Sequence, residues 1–509
     1  MIEVEVHQQL RALLRAQGGN TWPHHLTVAR LTARALRLQR STLIQVSSTA
    51  AYHGQHRLSY FASLLLWPGA AILVADPEVQ QALCHIELPR LREGLPIAKP
   101  IGLGGPWPDP DFAGVLLLTP QDWLSRQLQQ PDSFPNHVPL IIDGAENLDR
   151  WTRAYLVQSI APQHWEMLMW AYPTHAHTIR DIRAALTHAL FQHPSNPYGC
   201  LTLDTAKRSL LDQLLTTIQA SGLTPYPDPW CSFATALAQH HSIAWATLDR
   251  DRGCFGLSCG PTDVTPTLRS LWQNRTVILV NGILDLDPQA ELFRQQIGLD
   301  DLTCVQFATD RQNEALSLYL PDGLPMPNTP EFAGGLMTQL HRLLALRCSA
   351  EAFVVLLIDD LPLKTRVASM LAAEFGSRVK VERSDCGMGS ILISGWAFWQ
   401  SHQRGFPVPS LLAIATLPFP SLEDPKVAGR VAYYKQQRQD WFRLYLLPEA
   451  LQILQQAIAP LRGQSGLLAL LDNRVLHRSY GQQILSVLSP YARVSYLDES
   501  FLSAPQYSV

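Results

Sequence analysis

Short apolar runs alternate with amphipathic stretches along the first 150 residues of this 509-residue chain. The runs are nearly continuous in apolar residues, as strands buried on both faces of a parallel sheet are. The stretches between them repeat their apolar residues at helical spacing. The pattern predicts a parallel sheet flanked by helices, with strands at residues 41–46, 70–75, 114–118 and 139–143.

The pattern changes after Asp149, where helical stretches dominate as far as about residue 255. Strand-like runs then return. We therefore predict an α/β protein with a first lobe at 1–150, a mostly helical insertion at 151–275 and a second lobe at 276–509. The strands expected in the second lobe are 276–280, 353–358, 390–394, 411–415 and 467–471.

Composition narrows the class of protein. Apolar residues make up 47% and charged residues 16% of the chain, so it is folded, and its length requires two or more domains. A net charge of −3 gives no global electrostatic attraction to nucleic acid, although a local basic groove stays possible.

The longest apolar run, 60–75, contains Pro68 and is shorter than the ~18 residues of a spanning helix. Residues 1–17 lack the features of a signal peptide, so we expect a soluble cytoplasmic protein that does not contact membranes.

The spacing of the cysteines and histidines does not support a metal site. The eight cysteines are scattered, and the closest pair, Cys254 and Cys259, stands alone. The paired histidines, such as His175 and His177, lack partners at ligand spacing. We expect isolated thiols in a reducing compartment and neither a zinc site nor an iron–sulfur cluster.

The end of the strand at 139–143 has the form of a magnesium site. Asp143 follows an apolar run directly, which is where nucleotide-hydrolysing proteins hold Mg²⁺. The next residue is Gly144 rather than a second carboxylate, and Glu146 lies two places further on. A turn or a helix cap is the other reading of Asp143.

A phosphate-binding P-loop is absent. The chain has only six lysines, the first is Lys99, and none follows a glycine, so the G-x-x-x-x-G-K-[ST] motif does not occur. The loop after the first strand contains one glycine, Gly54. The Ser, Thr and His side chains of this loop are able to bind an anion at the start of the next helix. A plain turn is favoured, because such turns are common.

Taken in order, several segments resemble the DinG/XPD branch of superfamily 2 DNA helicases. The resemblance spans nearly the whole chain and is strongest after residue 255. The segments that carry it are "RLSYFASLLLWP" (57–68), "LIIDGAENLD" (140–149), "FGLSCGPTDVTPTLRSLW" (255–272), "ATLPFPSLEDP" (415–425), "RVAYYKQQRQDWFRLYLLPEALQILQQAI" (430–458) and "LLALLDNRVLHRSYGQQILSVL" (467–488).

The resemblance implies two RecA-like lobes with the nucleotide between them and single-stranded DNA across their top. The insertion would correspond to the family's arch-like domain. Many members carry a four-cysteine iron–sulfur domain in the first lobe. Because Cys84 is the only cysteine before Asp143, we expect that domain to be absent or to lack its metal cluster.

In the first lobe the family's motifs are altered where they touch the nucleotide. The resemblance puts His56 at the place of the phosphate-binding lysine and Arg57 at that of the magnesium-binding Ser/Thr. The Asp-Glu-Ala-His motif reads Asp143-Gly144-Ala145-Glu146, and His24 or His25 stands for the adenine-reading Gln. The vestigial nucleotide-binding positions are His25, Gly54, Gln55, His56 and Arg57.

The second-lobe motifs are altered as well. The family's Ser-Ala-Thr reads Asn281-Gly282-Ile283, and its F-W-E-G-x-D segment at 398–403 has lost both carboxylates. In the final motif Gln456 is kept, the two arginine-finger positions are Pro460 and Gly463, and Arg462 is one place out of register. The vestigial catalytic positions are Asp143, Glu146, Gln456 and Arg462.

These changes predict a pseudo-helicase, a helicase-shaped module without ATP hydrolysis and without a cofactor. Its partner would be single-stranded DNA, another nucleic acid or a protein. The alternative is an active DNA helicase with atypical motifs that uses ATP and Mg²⁺, and a third reading is a regulator that binds nucleotide without hydrolysing it. For Asp143 two arrangements stay open: pairing with Arg57, His56 or backbone amides of 47–57, or capping the following turn while Arg57 points to solvent.

Overall fold

A computed structural model describes residues 1–494, apart from 19–21, 97, 221–225, 240, 274, 283, 311–313, 348, 350 and 465. Its strands, in chain order, are β1 (Thr42–Gln45), β2 (Ala71–Val74), β3 (Ile101–Leu103), β4 (Val115–Leu118), β5 (Leu140–Asp143), β6 (Gln158–Ile160), β7 (Cys200–Thr202), β8 (Ser242–Asp249), β9 (Cys254–Pro261), β10 (Val277–Asn281), β11 (Thr303–Gln306), β12 (Leu316–Tyr319), β13 (Val354–Leu357), β14 (Val379–Val381), β15 (Ile391–Ser394), β16 (Leu411–Ile414), β17 (Leu467–Leu470) and β18 (Tyr491–Val494).

The helices surround these strands, and short 3₁₀ and π turns extend several of them. In chain order they are α1 (Ile2–Ala16), α2 (His25–Leu38), α3 (Ser48–His53), α4 (Arg57–Leu66), α5 (Pro77–Ala82), α6 (Leu88–Arg92), α7 (Pro120–Gln129), α8 (Leu148–Leu156), α9 (His164–Ala171), α10 (Ala176–Phe191), α11 (Thr205–Ala220), α12 (Trp230–Ala238), α13 (Thr265–Leu271), α14 (Glu291–Ile297), α15 (Phe332–Arg347), α16 (Leu361–Phe375), α17 (Trp396–His402), α18 (Pro425–Gln436), α19 (Leu447–Ile458), α20 (Arg474–His477) and α21 (Gly481–Leu488).

Two seven-stranded parallel sheets form the two lobes, which confirms the predicted α/β class with RecA-like lobes. The first sheet has the order β11-β1-β10-β5-β2-β4-β3 and the second the order β14-β15-β13-β16-β17-β12-β18. Alternate residues of each strand enter opposite helical layers: Ala71 and Leu73 of β2 pack on one side, and Ile72 and Val74 on the other. Burial on both faces explains why the strands read as continuous apolar runs.

The predicted boundary between the lobes is wrong. β10, expected to open the second lobe at residue 276, pairs with β1 and β5 at the centre of the first sheet. β11 extends the same sheet beyond β1. The insertion therefore leaves β5 and returns to its neighbour β10, so it lies inside the first lobe rather than between the lobes. An apolar run shows that a strand is buried, but not which sheet it joins.

The insertion is mostly helical, as predicted, but it also contains a sheet that the sequence did not reveal. β6, β9, β8 and β7 form a four-stranded antiparallel sheet, in that order. The helices of the insertion pack on this sheet around Trp165 and Trp230. Among the described residues, no helix is long and apolar enough to cross a membrane.

Candidate functional site

The carboxyl ends of the first sheet bring together the site residues predicted for the first lobe. Asp143 ends β5, Asn281 ends the adjacent β10, and β1 on the far side of β10 leads into residues 47–57. Because parallel strands all end at one edge, this edge is where α/β proteins bind their ligands. The sheet therefore places Asp143 opposite the segment that would carry the phosphate-binding loop.

The segment after β1 is helical instead of an open loop. Ser47 caps α3, its Oγ accepting a hydrogen bond from Ala50 N at 3.2 Å. Gly54 closes α3 with φ of +68°, a conformation that favours glycine. The amides of Ala51, Gly54, Gln55 and Arg57 donate to carbonyl oxygens within the segment. These amides are not free to cradle phosphate oxygens.

Asp143 is buried and surrounded by three side chains of the α3–α4 segment. Tyr60 donates its hydroxyl to Oδ2 at 2.7 Å, and Arg57 donates Nε to the same oxygen at 3.3 Å. His56 places Nε2 3.4 Å from Oδ1, while its Nδ1 lies 3.4 Å from Ala50 O. We call Asp143, His56, Arg57 and Tyr60 the Asp143 cluster.

Electrostatics keep Asp143 and Arg57 charged and paired. Burial alone would raise the pKa of Asp143, but His56, Arg57 and the Tyr60 hydroxyl outweigh burial and hold the pKa well below its ordinary value. Burial and the adjacent carboxylate raise the pKa of Tyr60, so its hydroxyl remains a donor. Burial opposes the charge on Arg57, yet Asp143 raises the pKa of the guanidinium overall.

Of the two arrangements open for Asp143, the structure has the paired one. Arg57 and His56 are its partners, as predicted, and both are buried. The backbone amides of 47–57 are not among them. Tyr60 is a partner that sequence reasoning missed, although His56 and Tyr60 are four residues apart and so share one face of the helical segment.

Gly54 allows the Arg57 guanidinium to fold back toward Asp143. A Cβ on Gly54 would lie 2.6 Å from one terminal nitrogen of Arg57 and 2.9 Å from its central carbon. These distances are too short for non-bonded atoms. The space that Gly54 leaves by lacking a side chain is therefore filled by the side chain of Arg57.

His25 and Gln55 do not join the Asp143 cluster directly. His25 opens α2, and its Nδ1 lies 2.8 Å from Ser59 Oγ on α4. Burial, with the nearby Arg90, lowers the pKa of His25 to about 4, so the ring is neutral at pH 7. Gln55 is partly buried in the turn between α3 and α4.

Glu146 lies apart from the Asp143 cluster in the turn that follows β5. Its Oε2 is buried and has no hydrogen-bond partner among the described residues. Burial raises the pKa of Glu146 to about 8, and the charges on Asp143 and Asp76 act in the same direction. At pH 7 this side chain is mostly a neutral acid rather than a base that could activate water.

Glu146→Gln is expected to stabilise the protein at alkaline pH and to leave its stability unchanged near pH 4. The folded-state pKa is raised, so the unfolded chain releases its proton first and the wild type loses stability between pH 4.5 and about 8. The amide removes this loss, which should amount to ~1–3 kcal/mol at pH 9. Urea unfolding at both pH values measures it, with the exposed Glu423→Gln as control. An equal effect at pH 4 and pH 9 would contradict the raised pKa.

The site residues predicted for the second lobe have structural partners. Gln456, on α19, accepts a hydrogen bond from Gln400 Nε2 at 3.0 Å. Arg462 is buried, and one terminal nitrogen donates to the carbonyls of Val487, Leu488 and Ser489 at the end of α21. Arg462 therefore caps a helix, and it does not point across the cleft as a finger.

The two lobes enclose a cavity of about 390 Å³ that borders Glu146 and Gln456. Ionic contacts close one side of it. Asp149 of α8 pairs with Arg153 at 2.8 Å and with Arg430 of the second lobe at 3.5 Å. The Arg430 guanidinium also lies 3.9 Å from the centre of the Tyr445 ring. The cleft is therefore bridged by side chains from both lobes.

Comparison with known proteins agrees with this architecture. The family described as "Helicase C-terminal domain" matches residues 407–491. The ATP-dependent DNA helicase YoaA of Escherichia coli (strain K12) is 23% identical over 253 residues, which are 47% of this chain and 40% of that protein. YoaA of Haemophilus influenzae is 22% identical over 258 residues, with 48% and 40% covered. The alignments thus cover less than half the length of either relative.

Solved structures of XPD show the same fold. An XPD helicase superposes with a TM-score of 0.60 at 12% identity, and an apo form of XPD with 0.59 at 13%. They cover 93% and 92% of this chain and all of their own chains. Xpd4 of S. tokodaii gives 0.56 at 13% identity, with 93% of this chain covered.

The fold is therefore the one seen in XPD, and the C-terminal sequence is similar to a helicase C-terminal domain. The chain is DinG/XPD-like in both respects, as the resemblance of its motifs indicated.

Proposed function

We propose that the protein is a pseudo-helicase: a DinG/XPD-type scaffold that binds nucleic acid or a partner protein and does not hydrolyse ATP. The observation that carries this proposal is the Asp143 cluster. The carboxylate that would hold Mg²⁺ already accepts hydrogen bonds from Tyr60 and Arg57 and faces His56.

The cluster opposes metal binding through its charge. Mg²⁺ requires near-octahedral oxygen coordination, and it usually binds one or two carboxylates together with substrate phosphates. Here the Arg57 cation lies 3.3 Å from the carboxylate oxygen that the metal would use. Binding would bring two positive centres together or would require Arg57 and Tyr60 to leave a buried position.

The remaining parts of a phosphoryl-transfer site are missing on both sides of the cleft. Catalysis of this reaction depends on a lysine, a metal, a positioned water and a cationic finger. By the resemblance, the lysine position is His56 and the finger positions are Pro460 and Gly463, and burial keeps Glu146 mostly protonated at pH 7. Losing one such group costs roughly 10²–10⁵ in rate, so losing all of them abolishes turnover.

The contacts between the lobes support a binding role over a motor role. A motor opens and closes its cleft in each cycle. In this chain Gln452 Nε2 donates to Glu146 O at 3.3 Å, and Tyr52 donates to Gln403 O at 3.3 Å, in addition to the Arg430–Asp149 pair. These contacts link the two lobes across the cleft, which suits a scaffold that recognises a partner.

Purified protein is expected to show no ATP hydrolysis above background with or without single-stranded DNA. Phosphate release is the readout, with the ATP-dependent DNA helicase YoaA of Escherichia coli as the positive control. Turnover that disappears in an Asp143→Ala variant would establish the alternative, an active helicase with atypical motifs that uses ATP and Mg²⁺.

The binding half of the proposal has a separate test. Fluorescence anisotropy with a labelled single-stranded oligonucleotide should show saturable binding that weakens as salt rises, because phosphate contacts release counterions. Saturable binding without any nucleotide present supports a nucleic-acid module. Its absence at low salt would leave a protein as the partner.

A further inference from the structure

A second cavity, of about 330 Å³, opens at the edge of the first sheet opposite to Asp143. Four of its lining residues lie within two positions before β2, β4, β5 and β10, where these strands begin. They are Ala70, Ala113, Pro139 and Thr276. Because the strands are parallel, this edge is separated from the Asp143 cluster by the length of the sheet.

Aromatic side chains form the walls of this cavity. Trp67, Trp107 and Phe112 line it, and each is only partly buried. The Trp107 and Phe112 rings meet edge to face, with centroids 5.3 Å apart and an interplanar angle of 89°. Gly114 leaves room for Phe112, since a Cβ there would lie 2.4 Å from the ring. The Trp107–Phe112 pair is therefore part of the packing of the loop between β3 and β4.

The acidic group among the described lining residues lies at the rim of the cavity. Asp111 lines it and is exposed, and its amide donates to the carboxylate of Asp109 at 2.9 Å. Neither lysine nor arginine is among the described residues that line the cavity. The ammonium of nearby Lys99 donates to Trp67 O and Gly69 O, so it is directed at the backbone. His137, which is exposed, is the other titratable group of the lining.

We propose that this cavity binds an arginine side chain presented by an extended segment of a partner protein. A guanidinium is attracted to the faces of aromatic rings and pairs with carboxylates, and both groups are present here. The prolines of the rim, Pro110, Pro135 and Pro139, add the flat apolar surface against which extended peptides pack. The proposal rests on the binding role stated above, but not on the loss of ATP hydrolysis.

The test compares N-acetyl-arginine amide with N-acetyl-citrulline amide, its uncharged near-isostere, on the full chain. With ¹⁵N-labelled tryptophan, the indole signals of Trp67 and Trp107 should shift saturably with the arginine probe. Binding of the citrulline probe should be about tenfold weaker. Trp107→Phe assigns the Trp107 signal. Equal shifts with both probes, or no saturable shift with either, would overturn the proposal.

Asp111→Asn tests the charge at the rim without disturbing the core, because Asp111 is exposed. It should weaken the arginine probe roughly 3–10-fold and leave the citrulline probe unchanged. Asp132→Asn, which removes an exposed carboxylate outside the lining, should have no effect.

A single-stranded oligonucleotide should not shift the indole signals of Trp67 and Trp107, since Asp111 repels phosphate. Shifts with the oligonucleotide and none with the arginine probe would assign the surface to nucleic acid instead. Failure here leaves the ATPase result untouched, so the two proposals are separable.

Discussion

Replacing Asp143 by alanine is expected to lower the free energy of unfolding of the first lobe by ~3–5 kcal/mol. The change removes the acceptor of Tyr60 and Arg57 and takes from a buried guanidinium the carboxylate with which it pairs. An uncompensated buried charge is much more costly than a missing surface pair. Urea unfolding followed by tryptophan fluorescence measures the loss.

The double variant Asp143→Leu/Arg57→Leu separates pairing from simple loss of packing. Removing both charges should recover part of the stability lost in Asp143→Leu alone, because no buried ion is left unpaired. The exposed Asp132→Ala is the control for a general effect of removing a carboxylate. If Asp143→Ala is neutral or stabilising, the pairing within the Asp143 cluster is contradicted.

The pH dependence of the same contribution has a definite sign. The folded-state pKa of Asp143 lies below its ordinary value of 3.8, so its stabilisation is complete at neutral pH. It disappears as pH falls below 3.8 toward the folded-state pKa. The stability difference between wild type and Asp143→Asn should therefore shrink in acid.

Arg462→Ala is expected to destabilise the second lobe by ~2–4 kcal/mol. The buried guanidinium donates to Glu314 O and to the carbonyls of Val487, Leu488 and Ser489, and these oxygens would lose their donor. Thermal unfolding measures the loss.

The control for Arg462→Ala is the exposed Arg478→Ala, which should be nearly neutral. A catalytic finger would behave in the opposite way, because its loss reduces turnover and spares stability. Arg462→Ala with unchanged stability would therefore contradict the capping role.

The sequence was informative wherever a single strand or a short segment decides the structure. The buried runs predicted the strands of both sheets, and Asp143 at a strand end, with His56 and Arg57 in the facing segment, made pairing one of two open arrangements. The proximity of these residues follows from the parallel sheet, since carboxyl ends of parallel strands share one edge. The choice between pairing and capping does not.

Long-range pairing could not be predicted in the same way. The apolar run at 277–281 would be buried equally well in either sheet. Only its pairing with β1 and β5 places it in the first sheet. Arg462 lies one residue away from the position that the resemblance gives to an arginine finger. Its actual role depends on the carbonyl groups at the end of α21, about 25 residues later in the chain. The antiparallel sheet of the insertion depends on pairing between short, distant strands such as β6 and β9.

Isothermal titration of the protein with Mg·ATP tests most directly whether the Asp143 cluster has replaced the nucleotide site. If Asp143 is paired within the protein, we expect no saturable heat of binding up to about 1 mM Mg·ATP, either in the wild type or in Asp143→Ala. Micromolar binding that is lost in Asp143→Ala would contradict it and would show that the carboxylate still holds a metal-bound nucleotide.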